Sequence, residues 1–175
     1  MVKEVHRIFL DSNVILDVIE RRKTESIMLL DHIREAKLFC CTSSFTHAEL
    51  IDIEQEFTHI TNMLTKRFTL NEILRQRKKK RLILEQRENA IDRVRDFFKQ
   101  YKIETWELDE KGWNTVIEVL RDMNVKAPDS IQVATSLESE CNLFVTNDQE
   151  LGKEVNKRIK WVTPSQALNM LKNKL

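Results

Sequence analysis

The chain has 175 residues, of which 41% are hydrophobic and 33% charged, and its formal net charge is +1. This length suffices for one domain with a substantial core, and the near balance of charge excludes a strong overall attraction to nucleic acid, so any such attraction must come from local patches. The presence of only 2 Gly and 2 Pro residues disfavours a turn-rich all-β fold and favours many helices.

The cellular setting is predicted from the apolar runs and the cysteines. No secretory signal is visible near Met1, and no apolar run approaches the roughly 20 residues of a membrane span. Cys40, Cys41 and Cys141 form no C-x-x-C pair, and we interpret them as buried thiols of a reducing compartment. We therefore expect a cytoplasmic protein that has no membrane partner.

The first predicted element is a short apolar run, residues 8–10, that ends abruptly in Asp11-Ser12-Asn13. A continuous apolar run is typical of a strand buried on both faces, and Ser12 and Asn13 are helix-capping types. Apolar residues at helical spacing follow, so the pattern predicts strand, polar turn and helix. Ligands of open α/β sheets bind beyond the carboxyl ends of the strands, which is where Asp11 would lie.

Other short apolar runs recur along the chain, with helical patterns between them. Two of them also end in capping residues: Thr42-Ser43-Ser44 follows the second run and Thr146-Asn147-Asp148 follows the fourth. Strands that alternate with helices imply right-handed crossovers and a parallel sheet, so we predict an α/β fold. The predicted strands cover residues 8–10, 38–41, 103–108, 143–145 and 159–162.

Residues 57–102 differ from the rest of the chain because helical periodicity persists there without Gly or Pro. Thr69 and Glu72 make a capping box, which predicts that a helix restarts there, and we expect two or three helices in a hairpin. The segment is basic, so it could bind RNA phosphates, bind a protein partner or be a solvated helix face. The candidate RNA contacts are Arg75, Arg77, Lys78, Lys79, Lys80 and Arg81.

Four acidic residues lie at related places in the predicted elements. Asp11 and Asp148 follow buried strands, Glu49 lies one turn into the helix after the second strand, and Asp129 begins its own helix after a proline. In a parallel sheet these acids can converge on one edge, where their mutual repulsion is tolerable mainly when hard cations neutralise it. Taken singly, Asp11 or Asp129 could be an ordinary helix cap, and Glu49 a solvated first-turn acid.

The set of acids predicts a site for Mg²⁺ or Mn²⁺, which prefer oxygen ligands. Two such ions can clamp a phosphodiester, activate water and stabilise the leaving oxygen. Ser12, Asn13, Thr146 and Asn147 are the neighbouring polar residues that we expect to orient the carboxylates.

The order and context of these segments resemble the PIN-domain nucleases, in particular the VapC-type toxins of toxin–antitoxin operons. The resembling segments are residues 9–17, 42–49, 127–134 and 144–151. The resemblance implies a single PIN-like, three-layer α/β/α domain over residues 1–175. Residues 57–102 would be an inserted or extended basic helical hairpin, longer than the compact helical pair usual in the small toxins.

The resemblance also implies the activity. Asp11, Glu49, Asp129 and Asp148 are then the catalytic, metal-binding acids of a Mg²⁺- or Mn²⁺-dependent endoribonuclease, and Thr146 is the hydroxyl residue that supports the first acid. A homodimer and an antitoxin that covers the acidic pocket are implied as partners.

Two functions therefore stay open at the level of sequence. The first is an endoribonuclease with an RNA substrate. The second is a catalytically silent PIN-like module that binds RNA or a protein partner through its basic helices. Serine hydrolases and P-loop enzymes are excluded because the chain has neither a G-x-S-x-G motif nor a Gly-rich phosphate loop. His47, near Glu49, could touch the scissile phosphate, although an ordinary structural role is favoured.

Overall fold

The structure is a computed structural model that describes residues 7–173. Within this range the chain divides into two compact units. The first unit comprises residues 7–46 and 101–173, and the second comprises residues 47–100. No helix in the described range is long and apolar enough to cross a membrane.

Five parallel strands form the sheet of the first unit. They are β1 (Ile8–Leu10), β2 (Cys40–Ser43), β3 (Glu104–Trp106), β4 (Leu143–Val145) and β5 (Lys160–Val162). Their order across the sheet is β3-β2-β1-β4-β5, and every pairing is parallel. The central strands β1 and β4 are buried along their whole length, as their continuous apolar sequences predict. The predicted α/β fold with a parallel sheet is confirmed.

The second strand begins later than the sequence predicts. Residues 38 and 39 were expected in β2, but the preceding helix closes with Lys37 in the left-handed conformation, at φ 53°. The backbone N–H of Leu38 then donates to the carbonyl of Ile33, so this N–H belongs to the C-terminal cap of the helix and does not pair with a strand.

The helices of the described range lie between these strands, except for the last, which follows β5. They are α1 (Ser12–Ile19), α2 (Thr24–Glu35), α3 (Ser44–Thr65), α4 (Leu70–Gln76), α5 (Leu84–Tyr101), α6 (Glu110–Asp122), α7 (Ala127–Glu138), α8 (Gln149–Val155) and α9 (Pro164–Lys172). Helices α1, α2 and α9 pack together on one side of the sheet, while α6, α7 and α8 cover the other, which gives the predicted three layers.

The core beneath α6, α7 and α8 is built on side chains that neighbouring strands present in register. Phe9 pairs with Phe144 in the ladder, and their rings stack with centroids 5.0 Å apart. Cys41 and Cys141 belong to the same cluster, and all three cysteines are buried free thiols, as predicted. The helices contribute Val119, Met123, Val133, Leu151 and Val155 to this cluster.

The second unit is helical, with α4 and a short 3₁₀ turn, Arg77–Lys79, between α3 and α5. The predicted capping box is confirmed: Thr69 Oγ1 accepts from the backbone N–H of Glu72, and the Glu72 carboxylate accepts from the backbone N–H of Thr69 at 2.8 Å. Residues 77–81 are five consecutive cations, and they do not form a continuous helix because Lys80 adopts a left-handed conformation, at φ 37°.

Candidate active site

Asp11 directly follows β1 and is buried, with 4% of its surface exposed. Its backbone N–H donates to the carbonyl of Val145, which extends the pairing of β1 with β4 by one residue. Asp11 stands at the N-cap of α1, but its side chain makes no capping hydrogen bond. Instead, Oδ2 accepts 2.6 Å hydrogen bonds from the Thr146 hydroxyl and from the Asn13 side-chain amide. These two bonds fix the orientation of the carboxylate.

Thr146 is the centre of this hydrogen-bond network. The residue is fully buried at the end of β4, and its Oγ1 accepts from the side-chain amide of Asn13 and from the backbone N–H of Asp148, both at 2.9 Å. Because this oxygen already accepts from two donors, the proton of the Thr146 hydroxyl points to Asp11. The network therefore ties the polar turn after β1 to the polar turn after β4.

Ser12 and Asn147, the other two residues expected to orient the carboxylates, make different contacts. Ser12 Oγ lies 3.4 Å from Oδ1 of Asp11, at the long end of hydrogen-bond distances. The Asn147 side chain donates to Asp17 Oδ2 at 2.8 Å, while its backbone N–H donates to Asn13 Oδ1 at 3.2 Å. Sequence reasoning did not single out Asp17, although an acid in the apolar stretch of a predicted helix was an available signal.

Asp148 and Asp129 are neighbours in the first unit. Asp148 caps α8, because its Oδ1 accepts from the backbone N–H groups of Glu150 and Leu151 at 2.9 and 3.0 Å. Asp129 lies in the first turn of α7 and is half-buried. Burial raises the pKa of the Asp129 carboxyl, and the negative charge of Asp148 raises this pKa further, while Lys126 opposes both effects.

Asp11 and Asp148 thus lie in the linked turns after β1 and β4, and Asp129 interacts electrostatically with Asp148. Glu49 lies on α3 in the second unit, where it is half-buried, and its role stays a prediction. In the same unit the ring of His47 packs 3.9 Å, centroid to centroid, from the ring of Phe98, and burial lowers the pKa of this imidazole.

The acids suit a hard cation bound in an open site. Among residues 7–173, no three His, Cys, Asp or Glu side chains are close enough to hold a metal ion by themselves. Mg²⁺ commonly binds through one or two carboxylates and keeps several of its waters. Burial and the charge of Asp148 both disfavour the ionised form of Asp129, and a bound divalent cation would offset both effects. The donor set therefore fits Mg²⁺ or Mn²⁺.

A buried polar ladder, which sequence reasoning missed, supports the chain next to Asp11. The Thr42 hydroxyl donates at 2.8 Å to the carbonyl of Leu10 and lies 2.9 Å from the hydroxyl of Thr46. The side-chain amide of Gln132 donates to Thr46 at 2.9 Å. Gln132 follows Asp129 by three residues on α7, so the ladder joins the end of β1 to β2 and to the helix that carries Asp129.

The candidate RNA contacts are not equivalent within the second unit. Arg77 Nε lies 3.6 Å from a Glu56 carboxylate oxygen, and Lys80 forms an ion pair with Asp52. The other four cations, Arg75, Lys78, Lys79 and Arg81, have exposed side chains.

Comparisons with known proteins agree with the fold described above. A family model described as the PIN domain matches residues 8–154. A chain in the crystal structure of VapBC2 from Rickettsia felis bound to a DNA fragment from their promoter has a similar fold, with a TM-score of 0.57 and 12% sequence identity. That match covers 90% of this chain and 98% of the other. A comparison with curated protein sequences gives no match. Because the family model spans most of its length, the chain belongs to the PIN domain family.

Proposed function

We propose that this PIN domain is a metal-dependent endoribonuclease that hydrolyses RNA phosphodiester bonds, and that it is the toxin of a toxin–antitoxin pair. PIN domains are generally nucleases, which supports the reaction class. The observation that carries the proposal is the buried Asp11 at the end of β1, which is held by Thr146 and Asn13 rather than used as a helix cap. The electrostatic interaction of Asp129 with Asp148, in the turn after the adjacent strand, supports it.

The proposed roles follow from the chemistry of the four acids and from membership of the PIN domain family. Asp11, Glu49, Asp129 and Asp148 would hold Mg²⁺ or Mn²⁺. Bound there, such ions lower the pKa of a water molecule and stabilise the charge that develops on the leaving oxygen. The donors on Asp11 hold its carboxylate in one orientation, as residues that orient metal ligands do.

The proposal that this chain is a toxin includes its binding partners. The similar chain comes from VapBC2 of Rickettsia felis bound to a DNA fragment from their promoter. In line with the resemblance to VapC-type toxins, we propose that an antitoxin protein binds this chain. We further propose that the chain forms a homodimer, acts in the cytoplasm and contacts RNA through the exposed cations of residues 75–81.

The decisive experiment is RNA cleavage by the purified protein with Mg²⁺ or Mn²⁺ and with a chelator. We expect cleavage only with metal, and we expect Asp11→Asn to reduce it by about 10²–10³-fold, which corresponds to a loss of about 3–4 kcal/mol of transition-state stabilisation. Asp92→Asn is the matched control, because Asp92 is an exposed acid on α5 that pairs with Arg95. RNA binding that persists in chelator, without cleavage in either condition, would instead support the catalytically silent module.

A further inference from the structure

We infer that Asp17 is a positioning residue for the metal-binding edge, and that it acts through Asn147. This inference rests on the proposed function. Asp17 holds the turn that carries Thr146 and Asp148 in place against α1.

Asp17 is a buried carboxylate in an apolar stretch of α1. Only 6% of its surface is exposed, and its neighbours Val14, Ile15 and Val18 are buried with it. Burying a carboxylate is unfavourable unless partners compensate it. The shortest side-chain hydrogen bond to Asp17 comes from the Asn147 amide, at 2.8 Å.

Two other side chains approach Asp17 from a greater distance. Lys23 Nζ and Ser26 Oγ lie 3.6 and 3.5 Å from Oδ2. The Lys23 side chain is 48% exposed, and ion pairs of this kind contribute little because water screens them. The contact with Asn147 is therefore the one that gives Asp17 a defined partner at the site.

Asn147 is held to α1 at two points. Its side chain donates to Asp17, and its backbone N–H donates to Asn13. Asn13 precedes Asp17 by four residues on α1, so the two lie on the same face of that helix. Asn13 in turn donates to Asp11. Because Thr146 and Asp148 are the chain neighbours of Asn147, a shift of Asn147 would displace both the hydroxyl that binds Asp11 and the carboxylate of Asp148.

The function of Asp17 in this arrangement is that of a hydrogen-bond acceptor, and its charge is secondary. Asp17→Asn retains a side-chain oxygen that can accept from Asn147, whereas Asp17→Ala removes the acceptor. The two substitutions therefore separate positioning from charge.

The test is the affinity of the purified full chain for Mn²⁺, measured by isothermal titration calorimetry. We expect Asp17→Ala and Asn147→Ala each to weaken binding by about tenfold, at the low end of the range for residues that orient metal ligands. The double variant should be no weaker than either single variant, because all three lose the same hydrogen bond. Asp17→Asn should stay within about threefold of the wild type.

The matched control is Ser26→Ala, which removes the longer contact to the same Asp17 oxygen but keeps the bond to Asn147, and which should leave Mn²⁺ affinity unchanged. If Asp17→Ala does not fold, Asn147→Ala removes the same bond from a half-buried turn residue. The inference is overturned if both single alanine variants bind Mn²⁺ like the wild type, or if their effects multiply in the double variant.

A second measurement separates this inference from the proposed function. Hydrogen exchange of the Asn147 backbone amide, recorded without metal, should be faster in Asp17→Ala than in the wild type, because the amide then loses its fixed position beside Asn13. Unchanged exchange would contradict the positioning role even if the wild type binds Mn²⁺. A wild type that binds no Mn²⁺ would refute the metal site itself, whatever the exchange result.

Discussion

The hydroxyl of Thr146 lies 2.6 Å from Oδ2 of Asp11, so the residue after β4 donates directly to the acid after β1. The sheet accounts for this contact, because β1 and β4 are adjacent and Leu10 pairs with Val145 in the parallel register. The next residues along each strand, Asp11 and Thr146, therefore emerge side by side. A polar contact between positions 135 residues apart follows from strand order and register.

The first prediction concerns this hydroxyl. Thr146→Val keeps the shape of the side chain but removes the donor to Asp11. It also removes the acceptor of the Asp148 backbone N–H and of one of the two hydrogen bonds that the Asn13 amide donates. We expect Mn²⁺ affinity and RNA cleavage to fall by about 10–100-fold. Thr146→Ser keeps the hydroxyl and should lie within a few-fold of the wild type. Equal losses in the two variants would show that the methyl group, and not the hydroxyl, supports Asp11.

The sequence predicts the parts of this site that depend on chain direction alone. Asp11 and Asp148 are identified because each follows a buried apolar run within three residues. The carboxyl ends of parallel strands lie at one edge of the sheet, so both acids are expected there. The partner of Asn147 was not predictable, since the choice between Asp11 and Asp17 depends on the direction of one side chain. The pairing of Lys80 with Asp52 depends likewise on how distant helical segments meet within the second unit.

The polar ladder next to the site should be a stability element. Thr46 is fully buried and contacts both Thr42 and Gln132, so Thr46→Val leaves buried polar groups without this partner. We expect the free energy of unfolding to fall by about 1–3 kcal/mol in urea denaturation. Thr65→Val is the control, because the exposed Thr65 bonds only to the carbonyl of Thr61 in its own helix; it should change stability by less than about 0.5 kcal/mol. Similar values for both variants would argue against the ladder.

The exposed cations of the second unit should carry the salt dependence of RNA binding. We expect Lys78→Ala, Lys79→Ala and Arg81→Ala together to lower the slope of log affinity against log salt by about 2, since each phosphate contact on single strands contributes about 0.7. The measurement is fluorescence anisotropy with labelled RNA, in an Asp11→Asn background that limits cleavage. An unchanged slope would place the RNA elsewhere on the protein.

Arg77 and Lys80 provide the comparison for that experiment. Their charges are already engaged by Glu56 and Asp52 within the second unit. Replacing both by alanine should therefore change the slope less than the triple substitution does. A larger change would assign the RNA contact to these two residues.

The capping box of α4 should make stability depend on pH. Hydrogen bonds from the Thr69 hydroxyl and the Thr69 backbone lower the pKa of the Glu72 carboxyl. A lowered pKa in the folded state gives a contribution that is present above the unfolded value of about 4.5 and is lost as the pH falls through the folded value. We expect Thr69→Ala to lower Tm by about 2–4 °C at pH 7, and by less below pH 4. A difference in Tm that is constant from pH 7 to pH 3 would rule out the carboxylate as the source.

The contact between Gly152 and Trp161 should set how α8, the helix capped by Asp148, packs on β5. A Cβ added at Gly152 would overlap the indole ring of Trp161, which is anchored because its Nε1–H donates to the carbonyl of Thr146. We expect Gly152→Ala to lower the free energy of unfolding by about 1–3 kcal/mol, since the ring must move.

Gly112 in α6 is the matched control for that substitution. A Cβ there would lie 2.7 Å from Cδ2 and 3.1 Å from Cβ of Leu108, so the flexible end of that side chain must turn away and its Cβ must give slightly. Alanine gains about 1 kcal/mol in helix propensity over glycine, which offsets this cost. Gly112→Ala should therefore be near neutral in urea denaturation, while Gly152→Ala is destabilised. Because the indole also bonds to the residue that supports Asp11, Gly152→Ala should weaken Mn²⁺ binding as well, and an unchanged affinity would show that the turn after β4 holds its geometry without the ring.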